Sequence, residues 1–180
     1  MSTRVALLAL TAALVGGCGG GDGERLQGED VPAAAARLPV SSPAFTEGSR
    51  LPARYTCEGA GDEPVVRAGT VPPSASELVL VVTDPDAPGG DFVHVTRYDL
   101  RPRGDGDVSE GGRTGTNSAG EAGWTPPCPP RGDAPHRYVW AVYALREPTG
   151  LAEGAAPGEV AAALRTGVLA SGSISARYGR

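Results

Sequence analysis

Short apolar runs, each ended by a cluster of Gly, Pro or Asp, alternate from Val40 to the end of this 180-residue chain. That punctuation constrains the fold most. A helix needs an unbroken 3.6-residue period over about ten positions or more, whereas a strand needs only a handful of residues between turns. The pattern therefore points to an antiparallel β fold. With 27 glycines and 17 prolines the chain approaches the composition of disordered segments, yet the surviving apolar runs are regular enough to build a core. Its length suits one domain.

Glu77 to Thr83 is a continuous apolar run rich in β-branched residues, and Arg137 to Leu145 is apolar on both alternating faces. Both read as central strands covered on two sides. Phe92 to Leu100 reads as a third strand, joined to the first by the turn-forming stretch Asp84 to Gly90. Ser171 to Tyr178 reads as a closing strand that puts Ile174 in the core. One helix is expected, Glu159 to Arg165, opened by Pro157 and closed by Gly167.

Ahead of the domain, Arg4 precedes the apolar run Val5 to Val15, which suits a secretory leader and is too short to span a bilayer. Leu14-Val15-Gly16-Gly17-Cys18 resembles the lipobox at which bacterial lipoproteins are cut and acylated on the cysteine. An ordinary signal peptide cut nearby, or a buried helix, is the alternative. On the lipobox reading residues 1–17 are the signal peptide, residues 18–39 a flexible tether rich in Gly and acids, and residues 40–180 the domain. The protein is then exported and held at the envelope membrane through Cys18.

All 16 basic residues are arginine, lysine is absent, and the formal net charge is −5. Removing a leader that holds only Arg4 leaves 15 arginines against 21 acids, a charge of −6. That balance argues against general nucleic-acid binding. The missing lysine marks the arginine count as a compositional habit rather than a phosphate-binding signature.

Residues able to carry chemistry are few, and His94 and His136 are the only histidines. If Glu77 to Thr83 and Phe92 to Leu100 pair as antiparallel neighbours, Asp84 at the end of one comes within reach of His94 just inside the other. At this point two stretches resemble a known family. Thr83-Asp84-Pro85-Asp86-Ala87-Pro88 followed by His94 is similar to the first signature of the phosphatidylethanolamine-binding proteins, in their bacterial Raf-kinase-inhibitor-like branch. Pro127-Cys128-Pro129-Pro130, then Gly132 and His136-Arg137-Tyr138, is similar to the second in order and spacing. Weaker echoes at Leu51 to Gly59, Gly115, Asn117 and Arg177-Tyr178 extend the likeness over about residues 43–180.

The resemblance implies a mainly β fold of two packed antiparallel sheets with one or two short peripheral helices. It also implies a pocket at one sheet's end lined by Asp84, His94, His136 and Tyr138, with Asp86, Pro127 and Arg137 in support. Imidazole and phenol groups suit phosphate, sulfate or carboxylate oxygens, and Asp84 is able to orient one ring and favour its protonated form. The expected partner is thus a small anion, such as a phosphate-bearing compound or a phospholipid headgroup, with no cofactor, no metal and no catalysis. If protonated histidine carries the binding, affinity falls as pH rises past about 6.5 to 7.5. Two departures bear on affinity: Val95 follows His94 where the family commonly has tryptophan, removing an aromatic wall, and Pro126 replaces a glycine and offers no backbone N–H.

Cys57 and Cys128 remain once Cys18 is acylated, and an even pair in an exported domain suits a disulfide. Two buried thiols are the alternative, because both positions belong to motifs that also occur in members that are not exported. Two other function classes compete with anion binding. One is an interaction module inhibiting a peptidase or kinase through surface loops such as Arg101 to Gly115. The other is a hydrolase using Asp84, His94 and His136 as metal ligands or Ser118 as nucleophile. No feature identifies a protein partner, no short metal-ligand spacing occurs, and Ser118 sits in no nucleophile elbow.

Overall fold

The computed structural model describes Ala34, residues 36–102 and residues 106–180. Cys18, the expected leader and most of the expected tether lie outside the described residues. In chain order the strands are β1 (Ala36–Arg37), β2 (Val40–Ser41), β3 (Ser49–Arg50), β4 (Arg67–Ala68), β5 (Glu77–Asp84), β6 (Phe92–Leu100), β7 (Gly106–Asp107), β8 (Arg113–Thr114), β9 (His136–Leu145) and β10 (Val168–Tyr178), with helix α1 (Pro157–Ala163) before the last. A seven-stranded sheet runs β1-β10-β9-β5-β6-β8 with β3 also on β10, and a three-stranded sheet runs β2-β4-β7. Pairing is antiparallel except where the two short strands β1 and β3 join β10 in parallel. The expected mainly β, two-sheet architecture is borne out.

The unbroken apolar character of β5 has a direct cause. Leu78, Leu80 and Val82 face one core, shared with Tyr138, Trp140 and Val142 of β9, Ile174 of β10, and Ala68 of the small sheet. Val79 and Val81 face a second core with Tyr98, Val160 and Leu164, which α1 helps to cover. Each Leu or Val taken fully out of water contributes about 1.5–3 kcal/mol, so a strand sandwiched between two cores tolerates no polar face.

Element boundaries shift where tertiary contacts decide them. Helix α1 starts at Pro157, ahead of the expected Glu159, because proline needs no N–H partner at a first turn and the Glu159 carboxylate accepts the Ala156 N–H at 2.8 Å. It also ends earlier, at Ala163, and Gly167 leads into β10, its carbonyl accepting from Arg146 N at 2.9 Å. The domain's packing begins before Val40, which corrects the expected tether boundary. Leu38 is 3% exposed and its N–H donates to the Ser171 carbonyl at 2.9 Å. Gly172 permits that approach: a Cβ there would sit 1.8 Å from the Leu38 oxygen.

Arg101 to Gly115, expected as a surface loop, contains β7 and β8, which pair with β4 and β6. Gly115 itself is buried, and a Cβ on it would meet Thr96 Oγ1 at 2.2 Å and the Ala155 oxygen at 2.6 Å. The small sheet went unread in the sequence because strands of two residues carry no period.

Candidate binding site

The β5–β6 register slips by one residue between the pairs Val82–Val95 and Thr83–Val93, leaving His94 as an extra residue on β6. Val93 therefore packs in the core on the α1 side and Val95 in the other, although residues two apart on a regular strand share a face. A bulge of this kind re-aims a side chain. Here His94 lines a cavity of about 320 Å³ at the sheet's end.

Asp84 ends β5, one residue past the last β5–β9 pair, Thr83–Val139, and His136 opens β9 three residues before it. The His136 Nδ1–H donates to Asp84 Oδ2 at 2.8 Å, while Asp84 Oδ1 accepts the Asp86 N–H at 2.9 Å. Asp86 Oδ2 in turn accepts the Arg137 N–H at 2.8 Å. The Asp-Pro-Asp turn thus clamps the first residues of β9. Asp86 and Arg137 support the site through this backbone bond, with the Arg137 side chain exposed. Pro127 lies outside the lining, and its carbonyl accepts the Cys57 N–H at 3.1 Å.

The hydrogen bonds of Asp84 thus run to His136, not to the His94 expected from strand pairing. Across the β5–β6 pair, Asp84 stands opposite Phe92. His94 Nδ1 instead meets the Thr125 carbonyl at 2.6 Å, and the Thr125 N–H donates back to the His94 carbonyl at 3.0 Å. A carbonyl only accepts, so Nδ1 carries the proton, and Nε2 is buried without a partner. Burial pushes His94 below the usual imidazole value of 6.5, opposed by the Thr125 carbonyl and the Asp84 charge. For this ring the expected pH window moves down accordingly. Burial, reinforced by the Asp84 carboxylate, pushes the Tyr138 phenol well above its ordinary value, so it is a neutral O–H at physiological pH.

Asp84, His94, His136 and Tyr138 all line the cavity, with Phe92, Thr125, Pro126 and Cys128 among the other walls. The four polar side chains belong to residues no more than 5% exposed. Aromatic surface surrounds His94: ring centroids of Phe92, Tyr138 and Trp124 lie 4.9, 5.3 and 5.8 Å from its own. Val95 packs in the core and is not part of the cavity lining, so the residue at that position does not remove the aromatic wall.

Thr125, Phe92 and Trp124 were missed in the sequence. Thr125 acts through its carbonyl, which leaves no trace in residue type. Asn117 holds it, donating from Nδ2 to Thr125 Oγ1 at 2.6 Å and to the Gly123 carbonyl at 3.2 Å. Cys57 and Cys128 are joined by a disulfide with Cα atoms 5.3 Å apart, and both are exposed rather than buried thiols. Ser118 lies outside the cavity lining and accepts the Val93 N–H at 2.8 Å, fastening its loop to β6. Among the described residues no three His, Cys, Asp or Glu side chains are grouped to hold a metal ion.

Residues 41–179 match the family model described as phosphatidylethanolamine-binding protein. A Mycobacterium tuberculosis protein named as a lipoprotein, LppC, is 38% identical over 154 residues, covering 77% of this chain and 76% of its own length. The crystal structure of a phosphatidylethanolamine-binding protein homolog, CT736 of Chlamydia trachomatis, is similar with a TM-score of 0.74 at 32% identity, over 81% of this chain and 99% of that one. Escherichia coli YbcL, described as a member of the mammalian PEBP family, gives 0.73 at 26% identity with the same coverage. A family model matching nearly all of the described domain, a relative of this identity and two similar crystal structures make this chain a member of the phosphatidylethanolamine-binding protein family.

Proposed function

We propose that this protein binds a small phosphate-bearing anion, free or as a phospholipid headgroup, in the cavity between Asp84, His94, His136 and Tyr138, and that it does so as a lipid-tethered envelope protein. The observation that carries the reading is the convergence of two imidazoles and a phenol from β6 and β9 on one cavity, all three at 5% exposure or less. Burying such groups is costly unless something uses them. The Asp84 carboxylate does not confront a guest directly, because its oxygens are engaged by His136 and the Asp86 N–H. The reading is of binding without turnover, and a phosphoester hydrolysis abolished by His136→Ala would replace it.

Calorimetric titration with orthophosphate and with phosphorylethanolamine tests the site. Binding is expected to weaken at least about tenfold in the double variant His94→Ala/His136→Ala. Unchanged affinity overturns the reading. The relative named as a lipoprotein supports acylation at Cys18, which lies outside the described residues. On detergent phase partition, Cys18→Ala is expected to move the exported protein into the aqueous phase. Recovery of that variant in the detergent phase ends the tether reading.

A further inference from the structure

We propose that Arg50, Arg177 and Arg137 form a second anion site, separate from the cavity above, for a ligand carrying two or more phosphate groups. The three lie on β3, β10 and β9 as direct cross-strand partners, Arg177 pairing with Arg50 on one side and Arg137 on the other. Residues in register share a face of the sheet, and all three are exposed. At a strand spacing of about 4.8 Å the row spans about 10 Å.

Like charges directly opposite one another destabilise a sheet, so their persistence calls for a reason. The chain does not lack acids, having 21 against 16 arginines, and four of its other arginines form ion pairs: Arg54 with Asp62, Arg97 with Glu63, Arg113 with Asp99 and Arg131 with Glu58. Among the described residues no acid forms an ion pair with any of the three. Two acids close in register are committed to other groups. Glu47 accepts the N–H and hydroxyl of Ser175 at 2.8 and 2.6 Å, and Asp86 accepts the backbone N–H of Arg137. A compositional preference for arginine explains how many there are, not why three stand side by side unpaired.

The Arg50–Arg177 end of the row opens onto a recess. Arg50 and Arg177, with Arg180 and Tyr178, line a cavity of about 460 Å³, and the Arg50 guanidinium stands 6.0 Å from the centroid of the Tyr178 ring. Asp133 is the one acid among its described lining residues, and its carboxylate lies 3.8 Å from His136 Nε2. Guanidinium forks grip phosphate oxygens two at a time. A single phosphate is too small to engage a row about 10 Å long, whereas a chain of two or three phosphates reaches along it.

The test is calorimetric titration of the full chain with inorganic tripolyphosphate and, separately, orthophosphate. Arg177→Gln removes the middle of the row and is expected to weaken tripolyphosphate binding at least about tenfold, more than Arg50→Gln or Arg137→Gln alone. Orthophosphate binding at the histidine cavity stays unchanged in Arg177→Gln. Without ligand, the same substitution relieves repulsion and raises the melting temperature by about 1–2 °C, which also shows that the variant folds. Equal tripolyphosphate affinity in Arg177→Gln overturns the proposal, as does a loss that follows His136→Ala instead. Vesicles containing phosphatidylglycerol that bind through these arginines while tripolyphosphate does not also overturn it, in favour of a membrane surface.

Discussion

On one side of the cavity His136 belongs to the sheet: its strand is registered against β5 and β10, and its ring is held by the carboxylate that ends β5. On the other side His94 sits on a bulge, held by the carbonyl of Thr125 in a loop that Asn117 and the Cys57–Cys128 disulfide secure. The same side chain is thus fixed by strand pairing and a charge in one place, and by neutral hydrogen bonds and a covalent crosslink in the other. The His136 ring stands beside a charge, whereas the His94 ring meets a neutral carbonyl and burial keeps it below the usual imidazole range. Two histidines in one cavity are therefore held by different chemistry.

The disulfide is the sharpest way to break the contrast. Cys57 and Cys128 are 71 positions apart, and replacing both with serine is expected to cost about 4 kcal/mol in chemical denaturation, from the chain-entropy model. In the folded variant, amide resonances around Thr125 should shift while the His136 imidazole keeps its own. A matching disturbance at His136 would show that the two walls are not independently held. Next in size, Asp84→Ala strands the His136 Nδ1–H and the Asp86 N–H, a loss of about 3 kcal/mol by the same measurement. His94 should keep its Nδ1–H tautomer in that variant, read from nitrogen chemical shifts.

Asn117→Ala loosens the loop side only. It removes side-chain bonds to Thr125 and Gly123 and the acceptor for the N–H groups of Ala119 and Glu121, for about 2 kcal/mol. The smallest effect is pH dependence. Unfolded His94 takes its proton near pH 6.5 while the folded ring resists it. The unfolded state then binds more protons, so stability falls as pH drops below 6.5 and levels off once the folded ring is protonated. Denaturation midpoints between neutral pH and pH 5 measure this fall, which His94→Gln should reduce. An unchanged slope in that variant would assign the fall to another group.

Much of the scaffold was legible because it depends on residue type and spacing. β5, β6 and β9 announced themselves as apolar runs between turns, since strands buried on both faces have no room for a polar period. The Asp84 to Pro88 and Pro127 to Tyr138 motifs marked the residues that line or brace the cavity. The ends of α1 and β10 were less legible, as was the inclusion of Leu38. Proline tolerance at a helix start and a close backbone approach at Gly172 are decided by neighbours distant in sequence.

Residue identity and period by themselves determined a mainly β chain, its central strands and the supply of polar groups for a site. Tertiary structure decided which of those groups meet. That His94 enters the same cavity as Asp84 follows from a one-residue slip between β5 and β6, and the arginine row exists only because β3, β9 and β10 lie in register. Register is a relation between strands, set by which side chains find the core. A single sequence displays the residues without displaying that relation.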